Sequence, residues 1–549
     1  MSDPRWCLVD VLGWLPVEGA DGLREVPLRE ALLEAHTFTG LAPDMPTMLP
    51  VLLRQALVPV VLDALGPIDA AAWADMMDAG QFTSDQRNQI NRYLDDRLDR
   101  FNVVDDKAPF GQAAGLEHPG GKVHPVSALM PHVATGNNTP LWDDRLVSDP
   151  VPLPVGTAVR WMLHAQCWDP GGIKTAAVGD PKTAKGKTTG NRVGALGDLG
   201  VVTLLGRTLF DTIVLNTPQG ERAAGDRPQW DRQPMGPAWQ TRAPAGLLDL
   251  FTWQERRIRL ILEPSDADPP GQVRWVVLSA GDRIDGAQPE DPHTCWTIRT
   301  DKAKGSVRYP RKHPPGLTGW QGLDALLTID RDTTGYETSG LLMQAAAATL
   351  AGDLPPDYPL RAATCGMTHD QYKAKVTDVL TDEVPIPVGA LRSDLAVRSS
   401  VILVSEQAQA LARAVDHLAA NLLRAVGGEP PSPGKGQHPG TKLLHALDPL
   451  VRRFLTGCQR NPTDDELDQA HKAFERLAEQ AARAAAEELL HRLPATAFIG
   501  RTVTKKVRGK TSTTTYQQAS AERIFNATLR KTLTHLYPQT PPPAEETEA

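Results

Sequence analysis

The C-terminal third of the chain limits the possible folds more than any other stretch. It is rich in alanine and leucine, and its apolar residues recur at helical spacing. Leu411, Val415, Leu418 and Leu422 fall on one stripe, and Gly427-Gly428 ends that helix. The spacing then predicts a short helix over 441–455, a long one over 464–493 and a last one over 520–536. Thr463 with Glu466 makes a capping-box pattern for the long helix, whose apolar side carries Leu467, Ala470, Phe474, Leu477 and Ala481. No amphipathic helix buries its stripe alone. With short and medium links, an antiparallel four-helix bundle over 386–537 is the simplest packing. The link Arg501–Lys510 is strongly basic, and the tail 538–549 has the composition of a disordered acidic segment.

Residues 1–385 read differently. The 47 prolines and 45 glycines of the chain suggest long, shaped loops. A short buried strand is expected over 6–17, closed by Pro16, and a helix follows with Pro27 near its first turn. Residues 48–65 are apolar but broken by Arg54, Gln55 and Asp63, which favours a core helix over a membrane span. Helical pattern recurs over 82–101, and 115–157 show little regular pattern. Residues 199–216 begin as a strand and end as a helix; 256–262 and 272–278 read as strands. The expected fold class is therefore α+β, a large irregular mixed N-terminal body over 1–385 followed by the helical bundle.

Composition excludes several functions. The formal net charge is −8, so any nucleic-acid contact must be a patch and not a global field. Cys7, Cys167, Cys295, Cys365 and Cys458 are scattered with no C-x-x-C pair, which argues against structural zinc and fits a reducing cytoplasm. The opening M-S-D-P-R-W-C has no signal-peptide pattern. His118, His124 and His132 match no standard ligand set, so no metal is expected. H-E-x-x-H, G-x-S-x-G and the dinucleotide fingerprint are all missing, and nothing calls for an enzyme or a cofactor.

One stretch reverses the sign of the chain. Asp169–Gly194 holds six glycines and five basic residues (Lys174, Lys182, Lys185, Lys187, Arg192) against two acids. Glycine lets backbone N–H groups approach a bound surface, and lysine supplies the charge a phosphate attracts. Gly186-Lys187-Thr188 imitates a P-loop, but the glycine required five positions earlier is Pro181. A solvated basic surface loop and a nucleic-acid contact both remain open. Residues 299–313 form a second basic run, for which a solvated face is the default.

An ordered series of segments resembles the large subunit (the CasA family) of the type I-E CRISPR surveillance complex Cascade. Trp14–Val17, Asp105–Gln112, the segments 201–216 and 250–260, and the closing helices fall in the family's order. The resemblance implies a cytoplasmic, non-catalytic subunit that works with the other Cascade subunits and guide RNA. It would recognise the PAM in target double-stranded DNA, help open the duplex for guide pairing, and present the target to a helicase–nuclease, away from any membrane. Base pairing then reads sequence while the protein reads a short signal. By position, Pro170, Gly171, Gly172, Ile173 and Lys174 correspond to the family's glycine-rich minor-groove loop. Gly366–Tyr372 is similar to the family's G-Y-R-N-N-Q-A pattern, which makes Gln371 a wedge tip with Tyr372 beside it. Arg283 stands nearest the place of a basic finger, and Gly136, Asn137, Asn138 and Thr139 match a loop facing the guide RNA's 5′ end and the PAM side. A plain scaffold within a ribonucleoprotein and a nucleotide-binding enzyme are the rival readings.

Overall fold

The computed structural model describes residues 3–133, 150–264, 271–286, 289–301, 305–328, 335–392, 396–431, 438–507 and 510–538. The chain divides into two compact units, one of residues 1–319, 325–355 and 359–384, the other of 320–324, 356–358 and 385–549.

The first unit mixes small sheets with buried helices. Leu15–Gly19 pairs antiparallel with Gly22–Val26 and with Phe38–Leu41. Pro16 does not close this strand; it occupies the second position, and pairing with Phe38–Leu41 begins only at Val17. Met48–Leu65 is one apolar helical stretch, with mean hydropathy 1.7 and 78% of it buried inside the protein. Its polar breaks have internal partners: the buried Arg54 guanidinium donates to both carboxylate oxygens of Asp291, at 2.8 Å each. Fully buried Trp14, Trp73, Trp168, Trp230 and Trp253 supply much of the core volume. Each such ring removes about 150–250 Å² from water.

Three elements position the site. The helix Val155–Trp168 is buried at every residue except Thr157. It packs on the strand Arg256–Leu262, which pairs antiparallel with Gln272–Ala280. Gln166 fastens helix to strand by donating to the Arg256 carbonyl and accepting from its N–H, at 3.0 and 2.8 Å. The third element is the sheet Val376–Pro385, Arg361–His369, Val201–Leu205, in that order, with the last two antiparallel.

In the second unit, Ala396–Ala425 packs on Pro439–Cys458, Asp464–His491 and Gln518–Thr532. Leu411, Val415, Leu418 and Leu422 are buried as their stripe requires, and Gly427 leaves the helix at φ 87°. The Thr463–Glu466 capping box forms in both directions. The apolar side of that helix is turned from the expected one: Leu467, His471, Phe474, Ala478 and Ala482 are buried, while Leu477 is exposed. The cause is Glu475. It is fully buried and accepts from Gln407 Nε2 and from the backbone N–H groups of His535 and Leu536. Burying that carboxylate with its donors draws its own face of the helix inward. The basic link at 501–510 is a hairpin, Arg501–Val507 with Lys510–Tyr516, and not a loop.

Candidate functional site

The glycine-rich stretch leaves the buried helix at Asp169 and forms strands. Gly172–Thr175 pairs antiparallel with Lys187–Asn191, so the stretch expected to be a loop is a hairpin with a long connection. A buried ion cluster anchors its root. Arg256 Nε donates to Asp169, and Arg256 Nη2 reaches the carbonyls of Asp169, Pro170 and Arg192 at 3.2, 3.1 and 2.7 Å. Lys174 Nζ lies 2.5 Å from Asp169 Oδ2 with its side chain 13% exposed. Burial pushes the Asp169 carboxyl up, but Lys174 and Arg256 outweigh it and hold the group below the usual carboxylate range. Lys174, nominated as a phosphate-binding charge, is thus engaged inside the protein.

The glycines have packing reasons of their own. A Cβ on Gly171 would stand 2.7 Å from the Asn191 carbonyl oxygen and 3.3 Å from that of Lys373. Gly172 has φ +89°, and a Cβ there would meet the Ala374 Cβ at 3.3 Å. Ile173, 63% exposed, is the outward-facing side chain of this segment.

Lys373 and Ala374 belong to the second nominated segment. Arg361–His369 and Val376–Pro385 are joined by a tight turn in which Asp370 Oδ1 accepts from the N–H groups of Ala374 and Lys375, at 2.7 and 3.2 Å. Gln371 and Tyr372 stand at its tip, both exposed, Tyr372 by 74%. Asp198 fixes the turn from below, at 2.5 Å from the ammonium groups of both Lys373 and Lys312. Burial pushes Asp198 up, yet the two lysine hydrogen bonds hold its carboxyl below the ordinary value.

Arg283 approaches from the other side. Its Nη2 donates to the Thr189 carbonyl at 2.7 Å and to Asn191 Oδ1 at 3.0 Å. Its guanidinium lies 4.0 Å from the Trp239 ring, which also carries Lys182 Nζ at 4.3 Å. Lys182, Lys185, Lys187 and Arg192 are exposed along the hairpin. Lys187 opens a strand and no helix follows Thr188, which removes the P-loop geometry. A cleft of about 360 Å³ opens between the end of the hairpin and the tip, lined among others by Asn191, Arg192, Asp198, Glu255, Tyr372 and Lys373. Glu255 is buried; Trp253 Nε1 donates to its Oε2 at 3.0 Å, and its Oε1 has no hydrogen-bond donor. Burial pushes its carboxyl up to about 7 despite nearby Arg256.

Three of the four nominated segments therefore meet: Pro170–Lys174, Gln371-Tyr372 and Arg283. Gly136, Asn137, Asn138 and Thr139 lie outside the described residues. His118 and His124 lie 5.2 Å apart, ring to ring, and His118 Nδ1 meets the Ala176 carbonyl oxygen at 2.8 Å. The sequence reading missed Asp198, Trp239 and Glu255. Asp198 and Trp239 act through distant partners, Glu255 acts through burial beside Trp253, and no local spacing marks any of them.

The model of the CRISPR-associated protein Cse1 family matches residues 13–485. The CRISPR-associated protein CasA/Cse1 of Thermus thermophilus is 28% identical over 459 residues, 80% of this chain and 83% of that protein. The crystal structure of Thermobifida fusca Cse1 superposes with a TM-score of 0.82 at 26% identity, over 98% of this chain and 99% of that one. A chain of a CRISPR RNA-guided surveillance complex shares the fold with a TM-score of 0.64 at 20% identity, over 88% of this chain and 99% of that one.

Proposed function

The chain belongs to the CRISPR-associated Cse1 (CasA) family, and from that premise we propose that it is the large subunit of an RNA-guided DNA surveillance complex of the Cascade type. Its partners on this reading are the other subunits and the guide RNA, as the complex named for one structural neighbour suggests. The chain itself carries out no chemistry. It recognises the PAM in duplex DNA, starts strand separation, and presents the opened target to a helicase–nuclease. Residues 1–385 form the DNA-reading body and 386–537 an antiparallel four-helix bundle; the tail from 539 lies outside the described residues.

One observation carries the reading. Three segments far apart in sequence converge on Asn191: Gly171 packs on its carbonyl and on that of Lys373, Arg283 donates to its side chain, and Asn191 lines one cleft with Arg192, Tyr372 and Lys373. A backbone with almost no side chain suits a minor groove about 6 Å wide, and that groove separates A·T from G·C more than it identifies a sequence. A permissive PAM set follows. Gln371 enters the base stack beside the PAM, and Tyr372 stacks on the first unpaired base, worth about 1–3 kcal/mol. Lys182, Lys185, Lys187 and Arg192 contact phosphates, and Gly136–Thr139 face the guide RNA's 5′ end. A scaffold without DNA reading is favoured by a different observation: Lys174, Lys312 and Lys373 all have internal carboxylate partners.

Duplexes with randomised flanks, titrated against the guide-RNA complex with and without this subunit at two salt concentrations, separate the two. Flank-selective, salt-dependent binding that needs the subunit is expected. Identical binding in its absence leaves the scaffold. Within the complex, Gln371→Ala should reduce permanganate-detected melting more than initial PAM binding; equal losses would remove the wedge.

A further inference from the structure

The second unit holds a cavity that the reading above leaves unused. It has a volume of about 300 Å³ and lies between the helix Ala396–Ala425, the root of the hairpin and the last helix, Gln518–Thr532. Asn421, Arg424, Tyr516, Gln517 and Ser520 are among the residues that line it, and none of the lining residues is acidic. Two helix ends meet here and are closed differently. The end of Ala396–Ala425 is satisfied by the chain itself: the carbonyls of Leu422, Leu423 and Arg424 accept from the N–H groups of Val426, Gly428 and Gly427, at 3.3, 2.9 and 3.0 Å. The start of Gln518–Thr532 is not. Gln517 holds the capping position with φ −151° and ψ 156°, but its side chain makes no capping hydrogen bond, and no acid stands in the first turn. Its Nε2 donates to Ser520 Oγ at 3.2 Å instead. Among the described residues no acceptor meets the N–H groups of Gln518, Ala519 and Ser520.

A helix start with free N–H groups carries about half a positive charge. Water satisfies such groups on an open surface, so the side chains around them decide what the site can hold. Asn421 is only 6% exposed, yet it lines the cavity. Its Oδ1 accepts from Arg424 Nη1 at 3.2 Å, which turns its Nδ2 away from that arginine, and among the described residues Nδ2 meets no acceptor. A buried amide donor without an acceptor is costly unless something bound supplies one. Arg424 is half-buried, 5.4 Å from the Tyr516 ring, and among the described residues no carboxylate pairs with it. Amide, guanidinium and helix start are all donors around a space that no acid lines.

We propose that this cavity is an anion site that takes a phosphate group, held by the Arg424 guanidinium, the Asn421 amide and the N–H groups that open the last helix. Helix starts bind phosphate through exactly these backbone donors, and a guanidinium adds charge-assisted hydrogen bonds to the same oxygens. Ile524, 42% exposed, gives the cavity an apolar wall. The space admits a sugar beside the phosphate, so the group can come from a nucleic-acid strand or from free phosphate.

The test uses the full-length subunit in a chloride buffer. Inorganic phosphate, titrated at constant ionic strength, should give a saturable heat of binding. Arg424→Gln should weaken it about tenfold, the effect of losing one hydrogen bond to a charged group. Gln517→Asp is the sharper variant. A carboxylate in the capping position satisfies the same N–H groups and the same helix dipole. It should raise the thermal midpoint and at the same time remove phosphate binding. A short oligothymidylate with hydroxyl ends separates the two sources. Oligonucleotide binding that Gln517→Asp weakens assigns the phosphodiester of a strand; binding of inorganic phosphate alone assigns the free anion. No saturable heat with either probe overturns the proposal, and so does binding that both variants leave unchanged. None of these residues lines the cleft around Tyr372, so either assignment can fail without the other.

Discussion

In the cleft, Lys174 sits 2.5 Å from Asp169 and two lysines share Asp198, whereas no acidic residue lines the cavity beside Arg424. Both regions hold cations, and they treat them in opposite ways. The cleft uses charge to hold its own backbone: Arg256 alone fixes three carbonyls and a carboxylate at the root of the glycine hairpin. In the cavity Arg424 has no carboxylate to pair with among the described residues. A surface of the first kind presents a preorganised shape, and its salt dependence comes only from the exposed Lys182, Lys185, Lys187 and Arg192. One of the second kind leaves its charge for a ligand. Substitutions in the two regions should therefore be felt in different observables.

The largest effect should follow Arg256→Ala. It leaves Asp169 buried beside Lys174 alone and strips three carbonyls of their donor. Breaking a buried pair typically costs about 3–5 kcal/mol, read as a lower denaturant midpoint. Arg424→Gln in the cavity should change stability by about 1 kcal/mol or less. Comparable losses in the two regions would erase the contrast.

Glu255 sharpens it through pH. Burial pushes its carboxyl up to about 7 from 4.5. The folded state then holds the proton longer than the unfolded one, so stability falls as pH rises from about 4.5 to about 7. Glu255→Gln removes that loss and should stabilise the protein at pH 8 relative to pH 5 by up to ~3 kcal/mol. Parallel pH–stability curves for variant and parent would show that the buried carboxyl contributes nothing.

What the sequence reveals divides along the same line. Helices are legible because their signals are local. Thr463 and Glu466 mark a start, Gly427 marks an end, and Leu411, Val415, Leu418 and Leu422 mark a face. The strands at 256–262 and 272–278 are legible for the same reason, being short runs of apolar residues interrupted by arginine. The glycine hairpin is not. Gly172 and Gly190 interrupt any alternation, and its pairing is stabilised by Arg256, distant in sequence. The site follows the same rule. Family order picked out Gly171, Gln371 and Arg283, but the carboxylates beneath them, Asp169 and Asp198, become visible only when distant segments meet.

Gly171→Ala tests whether glycine is there for a ligand or for the fold. The added methyl stands 2.7 Å from the Asn191 carbonyl oxygen, which is backbone and cannot swing aside. Overpacking of this kind costs about 1–3 kcal/mol. Reduced DNA binding by this variant would therefore carry no information unless its stability is measured alongside. Ile173→Ser changes the exposed position next to it and should leave the midpoint within about 0.5 kcal/mol. If the cleft reads duplex shape, this second variant still alters flank selectivity. If it does not, only the first variant shows any defect, and that defect is one of folding.

Asp198→Asn should have a small effect on stability and the most specific effect on binding. Its two lysines are half-exposed, and such pairs contribute about 0.2–1 kcal/mol each at neutral pH. The lysines hold the folded carboxyl below its ordinary value of 3.8. Their contribution is thus present at pH 7, lost as pH falls through the folded value, and the variant and parent should converge in acid. Binding should move the other way. With the carboxylate gone, Lys312 and Lys373 are available to phosphate beside the Gln371-Tyr372 tip, and the salt slope should steepen by about one to two. The cleft would then bind duplex more tightly and less selectively. An unchanged slope with unchanged selectivity would mean that the tip's lysines never approach a phosphate, and that charge in the cleft serves the fold alone.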